Sequence, residues 1–502
     1  MSCRPYLKMM SEKKSTENFV TFREEEEEEK SRYSRVMKHP IISFLINVTV
    51  TWLIFFTFLK ILQIKYGQRL LDFLSSISVH VELFSINWST TKFNTSLRKV
   101  ALRFERFWNY FYRVGNTIVL ILLPLAFLGL CYNLFVLLLN RSNENAIITP
   151  IVPGVNFPLS HLWYLILALV ISATIHELGH ALCTLKINDY GIYIFFIFPS
   201  AYVTINLEDI ERKSHWKKLR VFSAGVWHNI ILSFIIFLLM PATPYLLSPL
   251  YHYSNKELYV SYVPKESPLA GSVAVGTRIL EVGDCTVTNT TSYFQCIDKS
   301  WNEPNSYCLN LQFKECLNQT QNVRSCIDLD QLFNMVPCNS STPCRSKDKE
   351  CVNLAPSRLF KIKLSTRDYV TADGTPEELL FVGTAQELWD SFATNHYKAR
   401  WTWYPDIYYF VETLTMFTVA ISLGLAMMNM LPIGGFDGSY IMLSILHLVL
   451  SYHYPHNSKE KNDILKNKLY RYFSIFTTIL LVLNLSISFY YIIFGPGGQP
   501  VG

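Results

Sequence analysis

Six apolar runs constrain this 502-residue chain more than any other feature: Ile41–Gln63, Thr117–Leu139, Leu159–Leu185, Leu219–Met240, Ile407–Leu431 and Phe473–Phe494. A helix needs ~20 apolar residues to cross the roughly 30 Å hydrocarbon layer, and each run is long enough to do so. Charged residues make up only 17% of the chain, below the ~25% of soluble domains, which argues against an ordinary soluble enzyme. The formal net charge of +6 is small and dispersed. It fits basic flanks at membrane surfaces and gives no basis for nucleic-acid binding.

The first 40 residues contain no apolar stretch of the kind a cleaved signal peptide needs. They hold the run "REEEEEEK", expected as a solvated, disordered tail. Lys30, Arg32, Arg35 and Lys38 precede the first apolar run, which predicts a cytosolic N-terminus followed by an uncleaved anchor. Further on, "SLRKVALRFERFWNYFYRVG" is basic and aromatic. It suits either an amphipathic interfacial helix or part of an extramembrane subdomain. The stretch "GIYIFFIFPSAYVTINL" is strand-like in composition and interrupted by Pro199. It is expected either as a hairpin re-entering the membrane where protein or a water-filled cavity surrounds it, or as an interfacial loop.

Eight of the eleven cysteines fall between residues 285 and 351: Cys285, Cys296, Cys308, Cys316, Cys326, Cys338, Cys344 and Cys351. None forms a C-x-x-C pair, so a zinc ribbon is a poor fit. Disulfides in an oxidising lumen fit better, although eight cysteines allow 105 pairings. Sequons at Asn289, Asn318 and Asn339 lie in the same segment. The domain around it opens with "SPLAGSVAVGTRILEVGDCTV", whose glycines punctuate short apolar runs, and "RLFKIKL" supplies a closing strand. That opening run resembles the core of PDZ domains.

The chemistry is concentrated in "ISATIHELGHALCTL", residues 171–185. His176 and His180 are four residues apart, so one helical face presents both imidazoles to a single metal ion. Glu177 can take a proton from water activated by that ion. An ionisable trio inside an apolar run is costly and rarely idle. A catalytic zinc also needs a third protein ligand. Asp437, in the Pro-broken, Gly-rich stretch "AMMNMLPIGGFDGSY", completes a set of two histidines and one carboxylate.

The HELGH sequence ends one apolar run, and N-x-L-P-x-x-x-x-D-G (Asn429, Leu431, Pro432, Asp437, Gly438) ends another. Between them "FSAGVWHNI" carries G-x-x-x-N, met by Gly225 and Asn229. Together these motifs resemble the site-2 protease family of intramembrane zinc metalloproteases, and "VPGVNFPLSHLWYLILALVISATIHELGHAL" is similar to its animal branch. The resemblance covers roughly residues 40 to 495. It implies a polytopic α-helical membrane protein: a site-2 protease-type helical core, a membrane-embedded β-hairpin and a lumenal PDZ-like, cysteine-rich β domain. The expected organisation is a tail (1–40), an anchor (41–63), a polar, partly amphipathic region (64–116) and a membrane core (117–249). A lumenal domain follows (250–405, with a disulfide-rich insertion at 285–351), and then a second membrane block (406–502).

By the same resemblance, His176, His180 and Asp437 bind one zinc ion per chain and Glu177 is the general base. Asn229 holds the substrate backbone or stabilises the oxyanion, unless it serves only to bond helix to helix. His228, next to it, points about 100° away around the helix and is left out. The substrates implied are membrane-anchored transcription factor precursors of the sterol-regulatory element-binding protein and stress-sensor types. A first lumenal cut would trim them, and cleavage would then fall inside a transmembrane helix, in the Golgi or a related endomembrane.

Three other classes compete. A prenyl-protein endoprotease would also be a membrane zinc enzyme, but would not require the lumenal domain. A di-iron desaturase needs several histidine boxes, and beyond HELGH only His453-Tyr-Pro-His456 comes close. A non-catalytic PDZ-type scaffold would have no use for Glu177. One expectation conflicts internally. A cytosolic N-terminus and six full crossings would leave the cysteine-rich domain in the cytosol, so either Thr117–Leu139 is re-entrant, broken near Pro124, or the span count is off by one. Basic residues in 98–113 and sequons at Asn87 and Asn94 pull in opposite directions.

Overall fold

The computed structural model describes residues 40–143, 145–151, 157, 161–184, 187–264, 267–302, 306–310, 338, 344, 349–353, 358–365, 377–400, 407–455 and 458–494. The tail at 1–39, the sequons at Asn318 and Asn339, Cys316, Cys326 and His456 lie outside the described residues.

Each expected run is a helix long and apolar enough to cross a membrane: Ile46–Tyr66, Glu105–Asn140, Leu162–Thr184, His215–Leu246, Ile407–Met430 and Glu460–Ile492. The helices used below are α1 (Pro40–Tyr66), α2 (Asn94–Arg103), α3 (Glu105–Asn140), α4 (Leu162–Thr184), α5 (His215–Leu239), α6 (Thr290–Asn302), α7 (Ile407–Met430), α8 (Asp437–His453) and α9 (Lys459–Phe494). Pro124 sits inside α3 without ending it, so that run is one continuous helix and not a broken one.

The segment between α1 and α3 holds more than the interfacial helix considered for it. Strands β1 (Val79–Glu82) and β2 (Ser85–Thr90) form a hairpin, and the stretch read as one amphipathic unit divides into α2 and the start of α3. After α4, β3 (Ile187–Phe195) and β4 (Phe198–Ile205) form a second hairpin, and all four strands join in the order β1-β2-β3-β4. Alternating aromatic and β-branched residues favour this pleated geometry, and Pro199 is tolerated because β4 is an edge strand. The two tips lock together. Phe84 and Phe196 both adopt positive φ, 65° and 60°, and the Phe196 amide donates to the Phe84 carbonyl at 2.8 Å. Trp52 Nε1 of α1 donates to the Phe196 carbonyl, also at 2.8 Å.

The helical core packs α4 against α5 and α7, with α5 also touching α3 and α8. Lipid is as apolar as a leucine side chain, so such helices associate by close packing at small residues. A Cβ on Gly179 of α4 would stand 2.6 Å from the Ala224 carbonyl oxygen of α5, so the two backbones touch there. Leu182, Leu219, Val226, Met430 and Ile441 are buried around this crossing.

Between α5 and α7 lies a separate sheet of β5 (Leu258–Tyr262), β6 (Arg278–Val282), β7 (Arg358–Ser365), β8 (Glu377–Gly383) and β9 (Ala393–Asn395), in the order β8-β7-β6-β5-β9. Its core includes Leu258, Ile279, Phe360 and Ile362, covered by Tyr293 and Ile297 of α6. Disulfides join Cys285 to Cys296, Cys308 to Cys344 and Cys338 to Cys351, a connectivity that the spacing alone leaves open. Cys308, Cys338 and Cys344 come close enough to suggest a metal site, but their sulfurs are already spent on disulfides. The sheet meets the helical core through Tyr262, which stacks on Tyr409 of α7 at 4.5 Å between ring centroids. His161, at the head of α4, hydrogen-bonds the Tyr409 hydroxyl at 2.8 Å.

Candidate active site

The site is assembled from four helices and the β4 strand. Helix α4 presents His176 and His180 one turn apart, both buried. Helix α7 stops at Met430 because Pro432 follows and Gly435 turns the chain at φ 95°. The chain restarts at once as α8, with Phe436 extended at its N-cap and Asp437 in its first turn. The helix dipole favours a carboxylate at that position. The next residue must be glycine: a Cβ on Gly438 would run into the carbonyl oxygens of Met430 and Leu431.

Three donor atoms meet as a result. Asp437 Oδ2 lies 3.1 Å from His176 Nε2 and 3.2 Å from His180 Nε2, and the two nitrogens are 3.3 Å apart. Donors that each approach one zinc ion to about 2.0–2.1 Å would be spaced from one another much as these three are. Asp437 Oδ2 is buried, and among the described residues its polar neighbours are the two imidazole nitrogens, so its lone pairs are committed to this donor set alone. The three residues could therefore hold a metal ion, and they fit zinc in ligand type and spacing.

Helix α5 builds the wall behind the donors. A Cβ on Gly225 would stand 2.5 Å from His180 Nε2 and 2.6 Å from His176 Nε2, so the first residue of G-x-x-x-N leaves the space the donors occupy. Both imidazoles are held from behind. His180 Nδ1 lies 2.9 Å from the Val221 carbonyl, and His176 Nδ1 lies 3.2 Å from Asn229 Nδ2. Asn229 is fully buried, and its carbonyl accepts from Ser422 Oγ of α7 at 3.1 Å. His228 turns away and pairs with the Tyr112 hydroxyl at 3.1 Å.

Glu177 is half-buried, and the backbone of Val203 on β4, a strand packed along α4, lies beside its carboxylate. The edge strand of the four-stranded sheet thus lies against the helix that carries the metal-binding pair. All five residues singled out in the sequence come to one place or its immediate backing. The roles of the Val221 carbonyl and the Val203 backbone have no sequence signal, because any residue supplies those atoms. The glycine of G-x-x-x-N did carry one.

The profile of peptidase family M50 matches residues 164–464, more than half of the chain. The chain belongs to peptidase family M50. The matched segment runs from α4 into α9 and contains both stretches that supply the three donors. Within part of its length the chain is 28% identical, over 147 residues, to a membrane-bound transcription factor site-2 protease homolog from Arabidopsis thaliana. That alignment covers 28% of this chain and 28% of the relative's own length. Family M50 membership and the six apolar helices make this a polytopic membrane protein of a metalloprotease family.

Proposed function

We propose that the chain is a zinc metalloendopeptidase that hydrolyses a peptide bond within a transmembrane helix. The single observation that carries this is the convergence of His176, His180 and Asp437 from two apolar helix ends, with Glu177 beside them. Zinc bound there would act as a Lewis acid toward the scissile carbonyl and acidify the attacking water. Glu177 takes the proton from that water and passes it to the departing amide nitrogen. Strand β4, packed along α4, flanks the carboxylate on the other side. Gly225 and the Val221 carbonyl keep both imidazoles in place.

Asn229 acts on this reading as a positioning residue, distinct from the contact with substrate backbone or oxyanion that the resemblance implies. With Nε2 as the donor to metal, His176 Nδ1 carries the proton and needs an acceptor. Rotating the Asn229 amide by half a turn brings its Oδ1 to that position, and this oxygen is otherwise buried without a partner. Amide oxygen and nitrogen are distinguished only by such networks.

The substrate must be unwound before its backbone can reach Glu177. Strand β4 is an outer strand of its sheet, the one packed on α4, and an extended segment can pair with such an edge by strand addition. The disulfide-linked domain supports a lumenal, PDZ-like reading, in which it admits only substrates already trimmed on that side. The wording of the Arabidopsis relative's name supports membrane-bound transcription factors as substrates; the family resemblance alone implies that sterol-regulatory element-binding protein and stress-sensor precursors are among them, cut in the Golgi or a related endomembrane.

The test is cleavage of a pre-trimmed, membrane-anchored reporter by the wild type and by His176→Ala, Glu177→Gln and Asp437→Ala. Product from the wild type and none from the variants supports the assignment. A Glu177→Gln protein that cuts at the wild-type rate refutes Glu177 as the base, and a wild type that binds metal yet leaves the reporter uncut favours the scaffold.

A further inference from the structure

Where α3 begins, α4 ends and α5 begins, the structure holds a cavity of about 220 Å³. Three cations line it: Lys213, Lys217 and Arg220. Lys213 and Arg220 are half-buried, Lys217 is exposed, and none of the three makes an ion pair among the described residues. The one carboxylate in the lining is the exposed Glu105. Partly buried cations without counter-charge are unfavourable unless something anionic joins them. The N-terminus of α5, whose N-cap Ser214 makes no side-chain cap, adds its positive helix-end potential near Lys213 and Lys217.

The position identifies the class of anion. Two spanning segments, Leu162–Thr184 and His215–Leu246, end and begin at this cavity. Such a point lies at the membrane surface, at the depth of lipid headgroups. Trp108 forms part of the wall, as aromatic residues do at membrane interfaces. Basic pockets between spanning helices are suited to phosphate-bearing headgroups.

We propose that this cavity binds the phosphate of an anionic lipid headgroup, held by Lys213, Lys217 and Arg220. Occupancy bridges the ends of α3, α4 and α5. The carbonyl of Arg220 already accepts from Cys183 Sγ, and the next carbonyl, that of Val221, meets His180 Nδ1. The site does not depend on the proteolytic assignment, and its test requires no cleavage.

The full-length chain is placed in nanodiscs of phosphatidylcholine alone or with phosphatidic acid, and its thermal midpoint and the lipid retained in native mass spectrometry are recorded. A parallel arm in detergent adds inorganic phosphate. Phosphatidic acid is expected to raise the midpoint and to remain bound. Lys217→Ala and Arg220→Ala each weaken binding about 5-fold, the worth of one cation near an anionic surface. Glu105→Gln strengthens binding, a change of opposite sign that a merely structural role would not produce. Lys256→Ala, on the extramembrane domain, leaves it unaltered. Equal stabilisation by inorganic phosphate, with the same dependence on Lys217 and Glu105, supports the anion site and assigns its source to soluble phosphate. Absence of stabilisation by either probe, or stabilisation indifferent to Lys217→Ala and Glu105→Gln, overturns the proposal. Both of those side chains are exposed, so the result does not hinge on whether Arg220→Ala folds.

Discussion

The side-chain amide of Asn229 lies 3.2 Å from Nδ1 of His176, on the side of the imidazole opposite Asp437. A ligand histidine is oriented by what its second nitrogen meets, and removing such a partner lowers metal affinity by roughly 10–100-fold. Asn229→Ala is therefore expected to weaken metal binding by that factor while the helical content stays unchanged. Asn229→Asp, which keeps an acceptor, restores most of the affinity. Chelator competition measures both. An alanine variant with wild-type affinity but lost turnover would return Asn229 to a direct role on substrate.

Gly225 faces the two donor nitrogens across a gap that a methyl group would fill. Gly225→Ala is expected to abolish stoichiometric metal retention while improving intrinsic helix propensity by up to ~1 kcal/mol. Metal analysis on purified protein, paired with circular dichroism, checks this. Retention of a full equivalent of zinc by the alanine variant would mean that the donors do not sit where the structure has them.

Glu177 adjoins the donor triangle without belonging to it. Glu177→Gln should bind metal as the wild type does and lose about 10²–10⁴-fold in rate, the span attributed to general acid–base catalysis. The two readouts separate base from ligand. Loss of metal along with rate would place Glu177 among the ligands.

Two sequons differ in what their asparagines are doing. Asn94 Nδ2 donates to the carbonyls of Ile187 and Asn188 at 3.2 and 2.8 Å, which ties this region to the exit of α4. Asn289 uses Oδ1 to accept from the Ser292 amide at 2.7 Å, leaving Nδ2, the atom that takes a glycan, uncommitted by that bond. Glycosylation is expected at Asn289 and absent at Asn94. Glycosidase mobility shifts of Asn289→Gln and Asn94→Gln proteins decide it, and a glycan at Asn94 alone would invert the proposed sidedness.

Periodicity and composition were enough to locate six apolar helices, because the cost of leaving backbone polar groups unpaired in lipid allows few alternatives. The HELGH spacing placed His176 and His180 on one helical face, since four residues is one turn. Asp437 was legible as a third donor by its chemistry and by resemblance, although its distance to the imidazoles was not. What the sequence could not convey is contact between segments far apart. The joining of the β1–β2 hairpin to β3 rests on backbone hydrogen bonds that most residues can make. The pairing of six cysteines depends on which strands bring sulfurs within bonding reach. The cavity of Lys213, Lys217 and Arg220 exists only because α3, α4 and α5 end together. Local patterns, repeated every turn or every second residue, are written in the chain. The metal triangle and the pocket are set by how helices cross, and that is decided by close packing at Gly179, Gly225 and Ala224, which only the folded core defines.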